Sequence, residues 1–296
     1  MAVFDRLRNL IRRPPTVAVL RLSGVIGQVG PLRAGMTLAT MAPLMERAFA
    51  MRGVKAVALA VNSPGGSPVQ SALICNRIRA LAVEKNLPVI AFAEDVAASG
   101  GYWLACAADE IYAQEASVLG SIGVISAGFG FTEAIHRLGI ERRVHTAGTN
   151  KGLLDPFQPE KPEDIARLKA LQADVHDGFK ALVRERRGGK LKAPEDELFS
   201  GAFWSGRKAL EFGLIDGIAD LRGEMRRRYG DKVRLQAIGP SRNWLQRRLG
   251  QSSTATSGAM AWASGDGALG AGLGSGLAEG LLAAVEERAL WARYGL

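Results

Sequence analysis

VKAVALAVNSPGG, Val54 to Gly66, is the stretch on which the reading of the fold turns. Its first eight residues are aliphatic and apolar, interrupted only by Lys55, which suits a strand buried on both faces. Pro64 cannot donate to a sheet ladder and the two glycines admit a sharp turn, so the strand stops at Asn62-Ser63-Pro64-Gly65-Gly66. Val69 to Val83 then carries Leu73, Ile74, Ile78 and Leu81 at helical spacing. The same strand-then-helix rhythm runs upstream, with Thr16 to Leu22 as a strand ended by Ser23-Gly24 and Met36 to Met51 as a helix. Downstream, Pro88 opens a strand from Val89 to Ala93, which gives way to Ala97-Ala98-Ser99-Gly100-Gly101 and a helix through Ala107. Apolar strands alternating with helices predict an α/β protein with a parallel sheet covered by helices on both faces. Short strands at Glu110 to Tyr112, Gly123 to Ser126 and Ile140 to Thr146 are expected to extend it. A long amphipathic helix follows at Glu163 to Arg187, then a second α/β piece with a helix at Arg207 to Phe212.

The 296 residues, 47% apolar and 23% charged, describe a folded chain and exclude a fibrous or disordered one. Two cysteines, Cys75 and Cys106, stand 31 residues apart, too few for a disulfide framework or a cysteine zinc site. The net charge of +9 is unevenly placed: +3 in residues 1–13, +7 in 221–250, −2 in 251–296 and only +1 in the 207 residues between. The basic groups Arg222, Arg226, Arg227, Arg228, Lys232, Arg234, Arg242, Arg247 and Arg248 suit either a solvated face or a polyanion such as acidic lipid. Nucleic acid fits poorly, because only Tyr229 and Trp244 accompany them as aromatics. No run is long and apolar enough to be read as a membrane span or a cleaved signal. Four regions are expected: a basic amphipathic stub at 1–15, the main domain at 16–235, a basic then Gly/Ala/Ser-rich linker at 236–275, and an amphipathic helix at 276–296.

In a parallel sheet the chemistry gathers in the loops beyond the carboxyl ends of the strands. Ser99 falls in one such loop at the start of a helix, where free amides and the helix dipole favour an oxyanion. A nucleophilic Ser99 with the amides of Gly66 and Gly100 as oxyanion hole is one reading; an ordinary N-cap serine is the other. Among the histidines, His136 and His176 lie in surface-like helical patterns, and only His145, at a strand end, suits a catalytic triad. Lys151, in Gly148-Thr149-Asn150-Lys151-Gly152, is the better base, provided that it is desolvated and held by a hydroxyl such as Ser121; otherwise it is a solvated loop lysine.

Four motifs in this order carry a resemblance: Asn62-Ser63-Pro64-Gly65-Gly66-Ser67, Ala97-Ala98-Ser99-Gly100-Gly101-Tyr102-Trp103, Gly120-Ser121-Ile122-Gly123-Val124-Ile125, and the Lys151 loop, 52 residues after Ser99. Together they resemble the bacterial signal peptide peptidase A family, including its SohB-type members. Phe203-Trp204-Ser205-Gly206 and Ala209 to Asp216 are similar to its closing motif, so the resemblance covers about residues 16 to 235. It implies a Clp/crotonase-like fold and a serine endopeptidase that cleaves hydrophobic, signal-peptide-like segments through an acyl-enzyme. Carried over by position, Ser99 is the nucleophile, Lys151 the general base, Ser121 the hydroxyl that holds the lysine, and Gly66 and Gly100 the oxyanion hole. No metal or cofactor is implied. Family members with one peptidase unit form rings or domes in which neighbouring subunits can share a site, so a homo-oligomer is expected.

The sequence is expected to depart from that family at its N-terminal transmembrane anchor, with the basic stub read in its place, and in its tail beyond about residue 250. The expected setting is the cytoplasm, with peripheral contact to an acidic membrane. Two rival readings stand beside the peptidase. One is a crotonase-like acyl-CoA enzyme using Glu94, Asp95 and Glu115; the other is a catalytically silent membrane scaffold.

Overall fold

The strands of the computed structural model are Thr16–Ser23 (β1), Val54–Ser63 (β2), Val89–Ala98 (β3), Glu110–Ala113 (β4), Val118–Gly120 (β5), Phe203–Ser205 (β6), Gly217–Ile218 (β7) and Arg234–Ile238 (β8). The structure describes residues 14–28, 35–239, 285 and 288–295. Parallel pairing joins β1 to β2 from Val17 opposite Ala56 to Ser23 opposite Asn62, and β2 to β3 from Val57 opposite Val89 to Val61 opposite Ala93. The sheet runs β6-β5-β3-β2-β1-β8, with β4 on the first half of β3 and β7 beyond β4. Only the β5–β6 pair is antiparallel among these. The three central strands thus end side by side at Ser23, Ser63 and Ala98, which brings the loops after β2 and β3 together.

The helices are Leu38–Phe49 (α1), Pro68–Lys85 (α2), Gly100–Ala105 (α3), Thr132–Arg137 (α4), Pro162–Arg187 (α5), Glu195–Leu198 (α6), Gly206–Glu211 (α7) and Leu221–Tyr229 (α8). Local chemistry sets their ends. Thr37 and Thr40 form a capping box on α1, and Ser67 with Pro68 starts α2, which stops at Asn86 in the left-handed region. Helix α5 has Glu163 and Asp164 in its first turn and Arg184, Arg186 and Arg187 in its last, as its dipole favours.

Strand β2 is buried on both faces, as its unbroken apolar run requires. Val57, Leu59 and Val61 join Met45, Phe49, Ile74, Ile78, Phe179 and Val183 in the larger core. Ala56 and Ala58 point the other way, into a smaller core with Val17, Ile90, Phe92 and Met225. This second face is covered less fully than expected: among the described residues, α8 is the helix that supplies its core, through Met225. The expected strands at Gly123–Ser126 and Ile140–Thr146 are not formed. Residues 126–161 are almost entirely exposed, Ile140 and Val144 among them, and find no neighbouring strand among the described residues to take their backbone groups. His145 accordingly lies in irregular chain, not at a strand end. The expected stub at 1–15, the linker at 236–275 and the helix at 276–296 fall largely outside the described residues.

Part of the late basic segment has a structural task. Glu224, 5% exposed, accepts bonds from Arg227 at 2.7 Å and Arg228 at 2.6 Å, and Arg228 also donates to Glu110 of β4 at 2.8 Å. The bond from Arg227, with Arg228 adding to it against the effect of burial, draws the Glu224 carboxyl down from 4.5 to about 2. A carboxylate depressed in the folded state stabilises fully above its unfolded pKa, and that contribution is lost as pH falls through the folded value. Glu224→Gln is therefore expected to reduce folding stability by about 2 kcal/mol at neutral pH, a figure discounted for the exposure of Arg227. Urea unfolding should show the difference shrinking between pH 4.5 and about 2.

Candidate active site

Ser99 ends β3 and opens α3 with φ +52° and ψ −123°, a conformation that costs a non-glycine residue and marks functional sites. The backbone is held there on both sides. Ser99 N–H donates to Gly120 O at 2.8 Å, and Trp103 N–H donates to Ser99 O at 3.0 Å. Although Ser99 occupies the N-cap position, its hydroxyl makes no capping bond, so the ordinary N-cap reading does not account for it. The half-buried side chain is left to line a groove.

The loop after β2 is pressed against this turn. A Cβ at Gly65, where φ is +105°, would lie 2.8 Å from Ser99 Cβ and 2.9 Å from Gly100 N. Ser63 braces the loop: its hydroxyl donates to Gly24 O at 2.7 Å and accepts from Gly65 N–H at 3.2 Å. Gly66 forms an isolated parallel bridge with Ile26, in which Ile26 N–H donates to Gly65 O and Ser67 N–H to Ile26 O, each at 2.8 Å. The bridge is made by the neighbours of Gly66, so the Gly66 N–H faces away from Ile26. Among the described residues neither the Gly66 nor the Gly100 N–H has an acceptor. Two uncommitted amides beside a strained serine are the arrangement an oxyanion needs.

Ser121 follows Gly120 with φ +51° and is fixed by Ser121 N–H donating to Ala202 O at 2.7 Å. It is 6% exposed and shares with Ser99 a groove of about 220 Å³, lined also by His176, Ser200 and Arg293. None of these three was expected at the site from the sequence. His176 is not a solvated surface residue: it is half-buried, with Nε2 3.0 Å from Ile122 O, which requires the proton on Nε2. A signal for it was present, since His176 lies on the stripe of α5 that also carries the buried Phe179, Val183 and Arg187. Arg293 comes from the chain end, where edge-on packing of Tyr294 against Phe203 at 5.2 Å holds it beside β6.

Lys151 does not line this groove. It sits on the exposed segment between Ser126 and Lys161, its N–H donating to Gly148 O at 3.3 Å. His136 and His145 are exposed on the same segment. The carboxylates of the acyl-CoA reading lie elsewhere: Glu94 pairs with Arg21 at 2.8 Å, Asp95 accepts from Asn62 at 2.8 Å, and Glu115 pairs with Arg207 at 2.6 Å. Glu94 and Asp95 line a separate groove of about 910 Å³ with Val19 and Phe92, residues of the second face. Burial pushes both cysteine thiols up to about 12, which removes them as nucleophiles.

The parallel sheet, the two apposed loops and the strained serine define a Clp/crotonase-like fold with a candidate nucleophile at its carboxyl edge. The model of peptidase family S49 matches residues 82–228, a span that includes Ser99, Ser121 and Lys151. The chloroplastic serine protease SPPA of Arabidopsis thaliana is 33% identical over 213 residues, 69% of this chain and 31% of that protein. A Brucella abortus (strain 2308) protein named Na(+)/H(+) antiporter NhaA is 51% identical over 284 residues, 95% of this chain and 37% of that protein. A solved structure of the 1510-N membrane-bound stomatin-specific protease with a substrate peptide aligns over 80% of this chain and 97% of that one, at 15% identity and a TM-score of 0.49. The chain thus belongs to peptidase family S49 and is of the signal peptide peptidase A type. It spans about a third of the length of these two curated relatives.

The packing of the two loops makes a direct prediction. Gly65→Ala must push Ser99 from its turn, and should slow labelling of Ser99 by a phosphonofluoridate about 100-fold, comparable with loss of one oxyanion donor. Mass spectrometry of the labelled protein, with a melting curve to confirm folding, would measure it.

Proposed function

We propose that this chain is a serine endopeptidase that cleaves hydrophobic, signal-peptide-like segments through a Ser-Lys dyad. The observation that carries the reading is Ser99 itself, held at φ +52° with its hydroxyl uncommitted beside the free amides of Gly66 and Gly100. In the proposed cycle the neutral amine of Lys151 takes the Ser99 proton and the hydroxyl oxygen attacks the peptide carbonyl. The Gly66 and Gly100 amides hold the oxyanion, and the lysine then protonates the leaving amine. The same amine next takes a proton from water, which hydrolyses the ester and frees Ser99. Ser121, in the groove beside Ser99, holds the amine in place.

Because Lys151 lies outside the groove of its own chain, we assign it to the groove of a second copy. The segment that bears it supports this reading: Phe129, Phe131, Leu138, Ile140 and Val144 are all exposed there, more apolar surface than a free monomer favours. A homo-oligomeric ring or dome would bury that surface and complete each site across an interface. No described helix is long and apolar enough to cross a membrane. Contact with an acidic membrane surface is proposed through the basic groups of the late segment, Arg222 and Arg226 among them. The relative named as an antiporter supports a setting near membranes.

With an apolar fluorogenic peptide, Ser99→Ala and Lys151→Ala should each lower kcat at least about 1,000-fold. Ser121→Ala should lower it about 10- to 100-fold, by misplacing the amine. Since the base acts when neutral, wild-type turnover should rise toward alkaline pH. Undiminished turnover by Ser99→Ala would overturn the assignment.

A further inference from the structure

Helix α5 is tied to both serine turns of the groove. Trp103, whose N–H donates to Ser99 O at 3.0 Å, stacks its ring on Phe179 of α5 with the centroids 4.6 Å apart. One helical turn earlier on the same face, His176 places Nε2 3.0 Å from the carbonyl oxygen of Ile122, the residue after Ser121. The turn that carries Ser121 needs such a hold. Gly120 and Ser121 both stand at positive φ, +98° and +51°, and Ser121 O accepts from Gly123 N–H at 2.9 Å, which closes a three-residue turn centred on Ile122. A serine in the left-handed region stays there only where its surroundings fix it. Upstream the fixing bond is Ser121 N–H to Ala202 O at 2.7 Å. Downstream it is the bond from His176, because Ile122 is fully buried and among the described residues no backbone N–H donates to its carbonyl. Without the imidazole donor that carbonyl is left buried and unpaired, or the turn rotates to reach water.

We propose that His176 is a positioning residue for Ser121: its Nε2–H pins the Ile122 carbonyl and so fixes the turn that presents Ser121 to the groove beside Ser99. The inference rests on the proposed role of Ser121 in holding the lysine amine. Helix α5 then acts as a common strut, since Phe179 carries Trp103 and the Ser99 carbonyl while His176 carries the Ser121 turn. The spacing of the two serines is thereby set by one rigid element whose residues Phe179 and Val183 are buried in the larger core. The role is a donor's role and not a proton carrier's. The bond needs a proton on Nε2, which both the Nε2–H neutral tautomer and the imidazolium provide, so no transfer from His176 is involved.

The test is the rate at which a phosphonofluoridate labels Ser99 in the full-length protein, with a melting curve for each variant. His176→Leu is similar in size and suits a helix but has no donor, and should slow labelling about 10-fold, since misplacing a site by about 1 Å can cost about 100-fold. His176→Gln should bring the rate back to within about 3-fold of wild type, because its Nε2 stands the same number of bonds from the main chain and also donates. Its pH profile should match that of wild type. Ser121→Ala should slow labelling at least as much as His176→Leu, and the double variant should stay within about 2-fold of Ser121→Ala alone, because both changes remove one hold. Unslowed labelling in His176→Leu, a His176→Gln protein as slow as His176→Leu or with a shifted pH profile, or effects that multiply in the double variant would each overturn the proposal while the Ser-Lys reading stood. Labelling unslowed by Ser121→Ala would remove the role given to Ser121, and the proposal with it.

Discussion

The close approach of two backbones, the Pro64-Gly65-Gly66 turn against the Ser99-Gly100 turn, is the constraint on which the site depends. It exists because β2 and β3 are parallel neighbours that end at the same level, so the chain leaves both strands toward the same point. Glycine is required on each side. A side chain at Gly65 would meet Ser99, one at Gly100 would lie 2.5 Å from Ser71 Oγ, and one at Gly101 would lie 2.4 Å from Ser63 O. Packed this tightly, the loops leave Ser99 one conformation, at positive φ, and the bonds from Ser99 N–H to Gly120 and from Trp103 to Ser99 O hold it there. The strain is stored in a rigid core, which holds the reactive geometry in place.

Much of this was legible in the sequence because it follows from short-range rules. The unbroken apolar run of β2, the Pro-Gly-Gly stop and Ser99 before two glycines each carry their meaning within a few residues. Helices α1, α2, α3, α5 and α7 were placed to within a few residues for the same reason, their apolar periodicity and caps being local, whereas the helices α4, α6 and α8 were not read. What failed was non-local. Ile140 to Thr146 has strand-like composition, yet a strand needs a neighbour, and no strand lies beside it among the described residues. His176 looked like a surface residue because Asp177 follows it; its membership of the Phe179 stripe decides its place. Arg293 lies 194 residues from Ser99, and nothing in its immediate sequence signals the groove.

A single chain holds the serine, the amides and the Ser121 hydroxyl, while the lysine stands on an apolar outrigger. On the proposed reading this division ties activity to assembly: a dilute or misassembled chain has a nucleophile without a base. The basic segment divides in a similar way. Arg227 and Arg228 serve the fold by fastening α8 to Glu224 and Glu110, which leaves a smaller share of the positive charge for any surface partner.

The central claim is that one site is completed by two chains, and complementation tests it most directly. Ser99→Ala and Lys151→Ala proteins would be purified, each shown inactive on an apolar fluorogenic peptide, and then mixed in equal amounts under conditions that allow subunits to exchange. The account predicts that the mixture recovers a measurable fraction of wild-type turnover, because an intact Ser99 can then meet an intact Lys151 from its neighbour. A mixture that exchanges subunits, as shown by mass spectrometry of mixed assemblies, yet stays as inactive as its components would contradict it.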